Sequence, residues 1–452
     1  MRQQLSLMDA LTDRRDQGRL IWIFNIGAES VWHNISKGVS DPQEQEVVNR
    51  IEEMNLLLCR KQDIMILRKQ PDPDYLDMLE NLGFELPRIE IPEGESDDPF
   101  VSISQLILQD EALLERLQMY GVQGRALYGA TYLVPYAVTQ WEEEIAHTCE
   151  VPYIGAPSEI CKMVNDKIFS RQAAIELGFP VSSGTVCATV EEIRRECLAI
   201  GTADAEAQII IKEPHGASGK GLYLLQGTQK LDATLSVMSR FARKQNNPDQ
   251  AWLVERWHKK QMDLNYQIYI HPDGDVEVFS LKRQVVDGTV YIGSYMPSGV
   301  TEEIRQQSRQ YAMELGHYLY EKQYRGIASI DAFIDESGEL IPVIEINGRF
   351  TLSTYISLLP QMFGLRIFRS RYFRHITKER LTYQALCQKL EQHDLLYTSA
   401  HPFGVWVYTA GTLSASKTTH GYNNRIFAIV IADSTEEAQR LEEQLERVIA
   451  EL

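Results

Sequence analysis

Along most of the chain, short apolar runs broken by glycine, proline or acidic turns alternate with stretches of helical period. Residues 19–26, RLIWIFNI, form an apolar run ending at Gly27, which predicts a buried strand and a turn. A second strand is predicted at Asp63–Leu67, with the helical VVNRIEEMNLLLCR between the two. Arg125 to Pro152 carries further short apolar pieces and a helical WEEEIAHTC. This alternation predicts a small α/β domain over residues 1–150. The acidic, proline-bounded IPEGESDDP, residues 91–99, reads as a surface loop inside that domain. The turn FNIGAES has a single glycine and no GxGxxG, so a dinucleotide site there is not expected.

From Ile154 the texture changes. Asp166 to Leu177 is helical and stopped by Gly178 and Pro180, and Thr189 with Glu192 is a capping box that opens another helix. IIIK at 209–212 is a strand, followed by a glycine loop and the strand LYLL. WLVERW, NYQIYI, EVFSL and VYIGSY read as antiparallel strands joined by turns such as PDG. A long helix is predicted over Glu302–Lys322, then a hairpin, IASIDAFID–ESGE–LIPVIEIN. The last stretch holds the strands FGVWVYTA and RIFAIVIA. It closes with a helix capped by Ser434 and Glu437, with an apolar stripe of Leu441, Leu445, Val448 and Leu452. There is no internal repeat and no low-complexity tract.

Composition narrows the possibilities. The 452 residues suggest about three domains. With 44% hydrophobic and 24% charged residues the chain resembles an ordinary globular protein. The net charge of −18 excludes a general polyanion binder, because non-specific nucleic-acid affinity needs a surplus of Lys and Arg. It leaves room for a small anionic ligand held by a few cations in one cleft. No apolar run approaches the ~20 residues needed to span a bilayer, and the N-terminus lacks the apolar core of a secretory signal. Cys59, Cys149, Cys161, Cys187, Cys197 and Cys387 form no CxxC pair and no zinc-like spacing with histidine. Free, mostly buried thiols in a reducing cytosol are expected, hence a cytoplasmic protein that meets neither membrane nor nucleic acid.

The candidate chemistry starts with the hairpin. A loop centred on Gly338 puts Asp331 opposite Glu345, and Asn347 and Arg349 follow on the same face by the two-residue period of a strand. Opposed carboxylates repel unless they share a proton or hold a cation. Acid and amide oxygens on a rigid sheet suit Mg²⁺. A solvated sheet face is the plainer alternative. KEPHGASGKG, residues 212–221, places Gly216, Ser218, Gly219, Lys220 and Gly221 between two strands, where backbone N–H groups could cradle phosphate; an ordinary glycine turn would look the same. It is not a Walker A loop. Lys212 ends its strand, either snorkelling at the edge or aimed at a ligand. Lys167 opens a helix against the dipole, which bound phosphate would offset. Glu255 in VERW and Asp263 eight residues on could meet a heterocycle and a ribose.

In order and spacing this series resembles the ATP-grasp superfamily over about residues 150–375, and EINGRF is its most specific piece. The resemblance implies an α/β fold. An N-terminal pre-ATP-grasp domain (1–150) would precede a two-lobed α+β ATP-grasp body (151–380) and a small α+β extension (381–452). The glycine-loop lobe would span about 185–260 and the metal-bearing lobe about 261–375. Lys167 and Lys212 would contact ATP phosphates, with Lys212 also near adenine, and residues 216–221 would be the phosphate lid. Glu255 and the following backbone would hold adenine, and Asp263 the ribose. Asp331, Glu345 and Asn347 would bind two Mg²⁺ ions, with Mn²⁺ as a substitute, and Arg349 would stabilise an acyl-phosphate. Ser329 stands where D-alanine–D-alanine ligases carry an arginine, so Lys282 or Arg283 is left to supply that charge. The spacing to Asp263 is one residue longer than in those ligases.

The layout also resembles the pheganomycin-type peptide ligases and the amino acid–carrier-protein ligase of butirosin biosynthesis. It implies an ATP-dependent carboxylate–amine ligase acting on small molecules in specialised metabolism. A ligase that loads a carrier-protein thiol is the alternative, and a nucleotide-binding protein without turnover is a remote one. A homodimer is compatible with either.

Overall fold

A computed structural model describes residues 7–12, 18–32, 41–94, 98–204, 206–216, 221–244 and 251–452. Seventeen strands form three sheets among them. The first is parallel, in the order β3-β2-β1-β4, with β1 at Arg19–Ile23, β2 at Ile64–Ile66, β3 at Arg88–Glu90 and β4 at Thr131–Pro135. The two predicted strands are thus present, each shorter than its apolar run. Helices Ile103–Gln109, Glu111–Tyr128 and Gln140–Thr148 cover one face, where Ile21, Ile23, Ile64 and Ile66 share a core with Leu113, Leu117 and Ile145.

The second sheet is antiparallel, in the order β5-β8-β6-β7: β5 Gly184–Cys187, β6 Gln208–Lys212, β7 Leu222–Gln226 and β8 Trp252–Trp257. Helix Val190–Ala203 packs on it, its N-terminus satisfied by Thr189, which accepts from the Glu192 N–H. All six cysteines are free and buried.

The third sheet has nine strands. Its path is β13-β12-β9-β10-β11-β14-β17-β15, and β16 pairs with β17. The strands are β9 Lys260–Ile270, β10 Val276–Asp287, β11 Val290–Met296, β12 Gly326–Asp335 and β13 Leu340–Asn347. They continue with β14 Ile367–Thr377, β15 Gly404–Val407, β16 Ser416–Thr418 and β17 Gly421–Ala432. The C-terminal strands therefore do not stand apart: β14 joins them to β11 and makes one continuous sheet.

Strand period decides what each face of this sheet carries. In β9, Leu264, Tyr266 and Ile268 are buried on one face, and Asp263, Asn265 and Gln267 lie on the other. The apolar face packs against helix Glu302–Glu321, within a residue of its predicted span. Gly316 of that helix permits the approach, since a Cβ there would lie 2.4 Å from Val276 Cγ1. β10 changes face midway. Val278 pairs with Ile268, but the next pair is Ser280 with Gln267, so a register shift falls at Phe279. This bulge turns Ser280, Lys282 and Gln284 onto the polar face. A second shift lies in the β12–β13 hairpin. The tip pairs, Phe333–Ile341 and Ile334–Leu340, are out of step with Asp331–Glu345, and the irregularity between them restores the predicted opposition.

Candidate active site

The polar face is a ladder of matched rows. Glu345, Asp331, Asn265 and Lys282 lie side by side across β13, β12, β9 and β10. Asn347, Ser329, Gln267 and Ser280 form the next row. Asp331 Oδ1 accepts from Asn265 Nδ2 at 2.9 Å and Gln284 Nε2 at 2.8 Å, and Asn347 Nδ2 lies 3.5 Å from its Oδ2. Burial, reinforced by the charge of Glu345, lifts the Asp331 carboxyl to about 6, although the amide donors and Arg349 oppose the shift.

Lys167 closes this end of the ladder. It is the first residue of helix Lys167–Glu176, whose N-cap Asp166 accepts from the Ile168 N–H. Its ammonium donates to Glu345 Oε1 at 2.8 Å and to the Gly216 carbonyl at 2.7 Å. The side chain is buried, unlike the surface lysine that its position beside Asp166 would allow. Ser218, Gly219 and Lys220 lie outside the described residues. The loop ends are described: the Glu213 N–H donates to the Gly221 carbonyl at 2.9 Å. Gly221 sits at φ +74°, and a Cβ there would come within 3.0 Å of the Glu213 side chain, so glycine is required.

Glu255 and Lys212 meet on the second sheet. Glu255 is 6% exposed and holds two cations, Lys212 Nζ at 2.5 Å and Arg171 at 2.6 Å. Arg171 also donates to the carbonyls of Ser182 and Gly184, which locks it in place. The expected adenine contact of Glu255 thus falls on a carboxylate already engaged. Asp263 lies on the polar face and pairs with Lys260 at 2.7 Å.

Arg349 sits closer to the ladder than an extended strand would carry it. β13 ends at Asn347, and the chain turns so that the Arg349 N–H donates to the Asn347 carbonyl at 2.8 Å. Its guanidinium donates to Asn347 Oδ1 at 2.8 Å, and to the Tyr136 hydroxyl and the Phe350 carbonyl at 3.0 Å each. Tyr136 follows β4, so the N-terminal domain contributes directly to the site.

The two residues left as alternatives for the missing charge separate cleanly. Arg283 projects from the face opposite Asp331 and lies exposed near Tyr295, so it does not reach the site. Lys282 is on the correct face but has no exposed surface, which corrects the expectation of a cation open to substrate. Its ammonium donates to Ser280 Oγ at 2.7 Å, Ser357 Oγ at 2.6 Å and the Ser353 carbonyl at 3.0 Å. Burial pushes its pKa well down. Gln267 Nε2 lies within hydrogen-bond distance of Asn265, Ser329, Thr351 and Ser353, so Lys282 and Gln267 together pin the segment after Arg349 onto the sheet.

Asn265, Gln267, Gln284, Arg171 and Tyr136 were not singled out from the sequence. The first three carry a readable signal, the alternation D-L-N-Y-Q and S-L-K-R-Q in consecutive strands. Arg171 and Tyr136 carry none.

The donor set fits a hard divalent cation. Two carboxylates and an amide oxygen share the ladder, no histidine or thiol is among them, and an ammonium already lies against one carboxylate. Asp331, Glu345 and Asn347 are the residues that would hold Mg²⁺.

Three family matches run along the chain in order: a pre ATP-grasp domain over residues 51–151, an ATP-grasp domain over 172–358 and a PGM1 C-terminal domain over 385–445. Among curated proteins the chain is similar to the [butirosin acyl-carrier protein]–L-glutamate ligase of Niallia circulans, 27% identical over 342 residues, 75% of this chain and 74% of that one. Among solved structures it is similar to an ADP complex of N5-carboxyaminoimidazole ribonucleotide synthetase (TM-score 0.56, 14% identity, 96% of this chain and 97% of that one). It is also similar to the biotin carboxylase domain of the Hydrogenobacter thermophilus 2-oxoglutarate carboxylase, in complex with MgADP, ADP and bicarbonate (TM-score 0.56, 15% identity, 95% and 90%). At these identities the structures show a shared fold. The domain order is the one the sequence implied. Among the described residues no helix is long and apolar enough to cross a membrane.

Proposed function

Taking the chain as an ATP-grasp ligase with a pre-ATP-grasp domain before it, we propose that it activates a carboxylate as an acyl-phosphate and joins it to an amino group. The observation that carries this reading is the convergence of Asp331, Glu345, Asn347 and Arg349 on one ladder, with Lys167 bridging Glu345 and the glycine loop.

A carboxylate repels nucleophiles and has no usable leaving group; phosphorylation by ATP supplies one. In this reading Lys167 and Lys212 bind the nucleotide phosphates, and water is kept from the intermediate. Asp331, Glu345 and Asn347 would hold Mg²⁺, two ions in this reading, which would supply positive charge opposite the phosphoryl group. Arg349 lies beside those ligands and holds the acyl-phosphate and then the tetrahedral oxyanion. Its orientation comes from Asn347 and Tyr136. Asp263 is assigned to the ribose and Glu255 with its following backbone to adenine. Glu255 also positions Lys212 and Arg171.

The Niallia circulans relative favours a second reading, in which the acceptor is a carrier-protein thiol and the product a thioester. Hydroxylamine separates donor from acceptor. ADP release with hydroxamate formation across a panel of amino acids would identify the acid under either reading. Adding amines or a carrier protein in place of hydroxylamine then identifies the nucleophile. ATP binding with no ADP release on any panel would leave a nucleotide-binding protein without turnover.

A further inference from the structure

The connection between the second and third sheets is two residues long, His258 and Lys259, and His258 faces the tip of the β12–β13 hairpin. Its ring lies against Phe333, with centroids 5.6 Å apart. Nδ1 is 3.6 Å from Glu336 Oε2. Neither ring nitrogen makes a hydrogen bond, and both are shielded from solvent. An imidazole always has a lone pair or an N–H to satisfy, and leaving such a group buried without a partner is costly.

The facing carboxylate is held rigid. Asp335 Oδ1 accepts from the Ser337 N–H at 2.8 Å, the Ser337 hydroxyl at 2.7 Å and the Glu339 N–H at 2.9 Å. All three bonds fall on one oxygen and leave the other without any of these donors, and hydrogen bonds of this kind orient metal-binding carboxylates. Ligand atoms of His258, Asp335 and Glu336 lie within 4.8 Å of one another. The cation nearby, Lys260, is paired with Asp263 at 2.7 Å and covers the Trp257 and Phe333 rings, so its charge is compensated.

We propose that His258, Asp335 and Glu336 form a second divalent-metal site, for an ion of the zinc type, separate from the Mg²⁺ ladder. The chemistry distinguishes the two. Imidazole nitrogen selects the borderline ions, whereas the ladder offers only hard oxygens. Ligands about 2.1 Å from a tetrahedral ion stand roughly 3.4 Å apart, close to the 3.6 Å between His258 and Glu336, and all three ligand atoms lie within 4.8 Å of one another. Water would complete the coordination. A bound ion would tie the connection between the two sheets to the hairpin that carries Asp331 and so restrict their relative motion.

The test uses the full chain, stripped with a chelator and titrated with Co²⁺ or Zn²⁺ in excess Mg²⁺ without nucleotide. One site per chain is expected by calorimetry, with the visible Co²⁺ band of a nitrogen-containing site. His258→Gln and Asp335→Asn should each weaken it by at least about tenfold. Asp331→Asn should leave it unchanged, which separates this site from the ladder. If His258→Gln fails to fold, Glu336→Gln, on a partly exposed side chain, carries the test with the same expected loss. Absence of a site in excess Mg²⁺, equal affinity in the foldable ligand variants, or loss of the site in Asp331→Asn would each overturn the proposal.

Discussion

The ammonium of Lys167 lies 2.8 Å from Oε1 of Glu345 and 2.7 Å from the carbonyl of Gly216. One cation therefore touches a carboxylate proposed to hold the metal and the first glycine of the loop. Without nucleotide it competes with a metal for Glu345. Lys167→Met, which keeps the length and removes the charge, should tighten nucleotide-free Mn²⁺ binding by about tenfold while weakening ATP binding. That is ~1.4 kcal/mol, well inside the ~4 kcal/mol of two unit charges at 4 Å in a surface-like dielectric. Electron paramagnetic resonance of free Mn²⁺ measures it. An unchanged Mn²⁺ affinity would show that lysine and metal do not share the carboxylate.

Asp331 should make metal binding depend on pH. Burial and Glu345 raise its carboxyl to about 6, so below that pH the metal-free protein keeps a proton that a metal must displace. Mn²⁺ affinity should be flat above about pH 7 and fall by up to about tenfold per unit below 6, with proton release on binding. Calorimetry in two buffers of different ionisation enthalpy reads that proton directly. Equal affinities at pH 5 and 7.5 would refute it.

Lys282 places a buried ammonium among three neutral oxygens. Its lowered pKa means that the folded state binds this proton more weakly than the unfolded chain. The proton then costs stability at every pH below about 10.5, until the pH falls through the folded value and the cost is complete. Lys282→Met should raise the melting temperature by a few degrees at pH 7, since buried ionic groups are often replaced by apolar ones with a gain in stability. Its turnover should fall, because the segment after Arg349 loses a tie to the sheet. A large drop in melting temperature would instead show that its three hydrogen bonds outweigh the cost of burying the ammonium.

Glu255 should behave in the opposite way. Its carboxylate holds Lys212 and Arg171 in a buried site, so Glu255→Gln leaves two cations facing one neutral amide. Breaking such a group costs roughly 3–5 kcal/mol. Thermal denaturation without nucleotide should show a loss of several degrees. Unchanged stability with weakened ATP binding would return Glu255 to a purely nucleotide-binding role.

Much of the site could be read from strand period. Asp331 opposite Glu345, with Asn347 following, needs only the two-residue alternation and the centre of the hairpin, and both survive a tighter tip because the register shift compensates. The bulge at Phe279 has no such signature. It decides that Lys282 faces the ladder and Arg283 does not, which is why the two could not be separated beforehand. Tyr136 and Arg171 reach their partners across sequence separations of 213 and 84 residues, and nothing local marks either. The C-terminal strands were predicted, but not their place: only the pairing of β14 with β11 shows that they extend the sheet that carries Asp331 and Glu345.

Variants of Arg349 should separate activation from nucleotide binding. Its guanidinium is aimed by Asn347 Oδ1 at 2.8 Å and the Tyr136 hydroxyl at 3.0 Å, with its carbon 5.3 Å from the Tyr136 ring centroid. It borders Asn347, one of the residues proposed to hold the metal, and is proposed to meet the acyl group there. Arg349→Ala should bind Mg-ATP within a few-fold of wild type yet lose at least ~100-fold in activity, typical of removing an oxyanion-stabilising donor. Arg349→Lys should rescue only in part, because a single ammonium lacks the planar fork that reaches Asn347 and Tyr136 together. Tyr136→Phe keeps the ring and removes one orienting bond, so turnover should fall less than in Arg349→Ala while ATP affinity stays unchanged. Nucleotide affinity by calorimetry, turnover by ADP release and melting temperature on the same three variants decide the matter. If Arg349→Ala bound ATP weakly but turned over normally at saturating ATP, Arg349 would be a nucleotide contact. If melting temperature alone fell, its role would be to hold Asn347 and Tyr136 together.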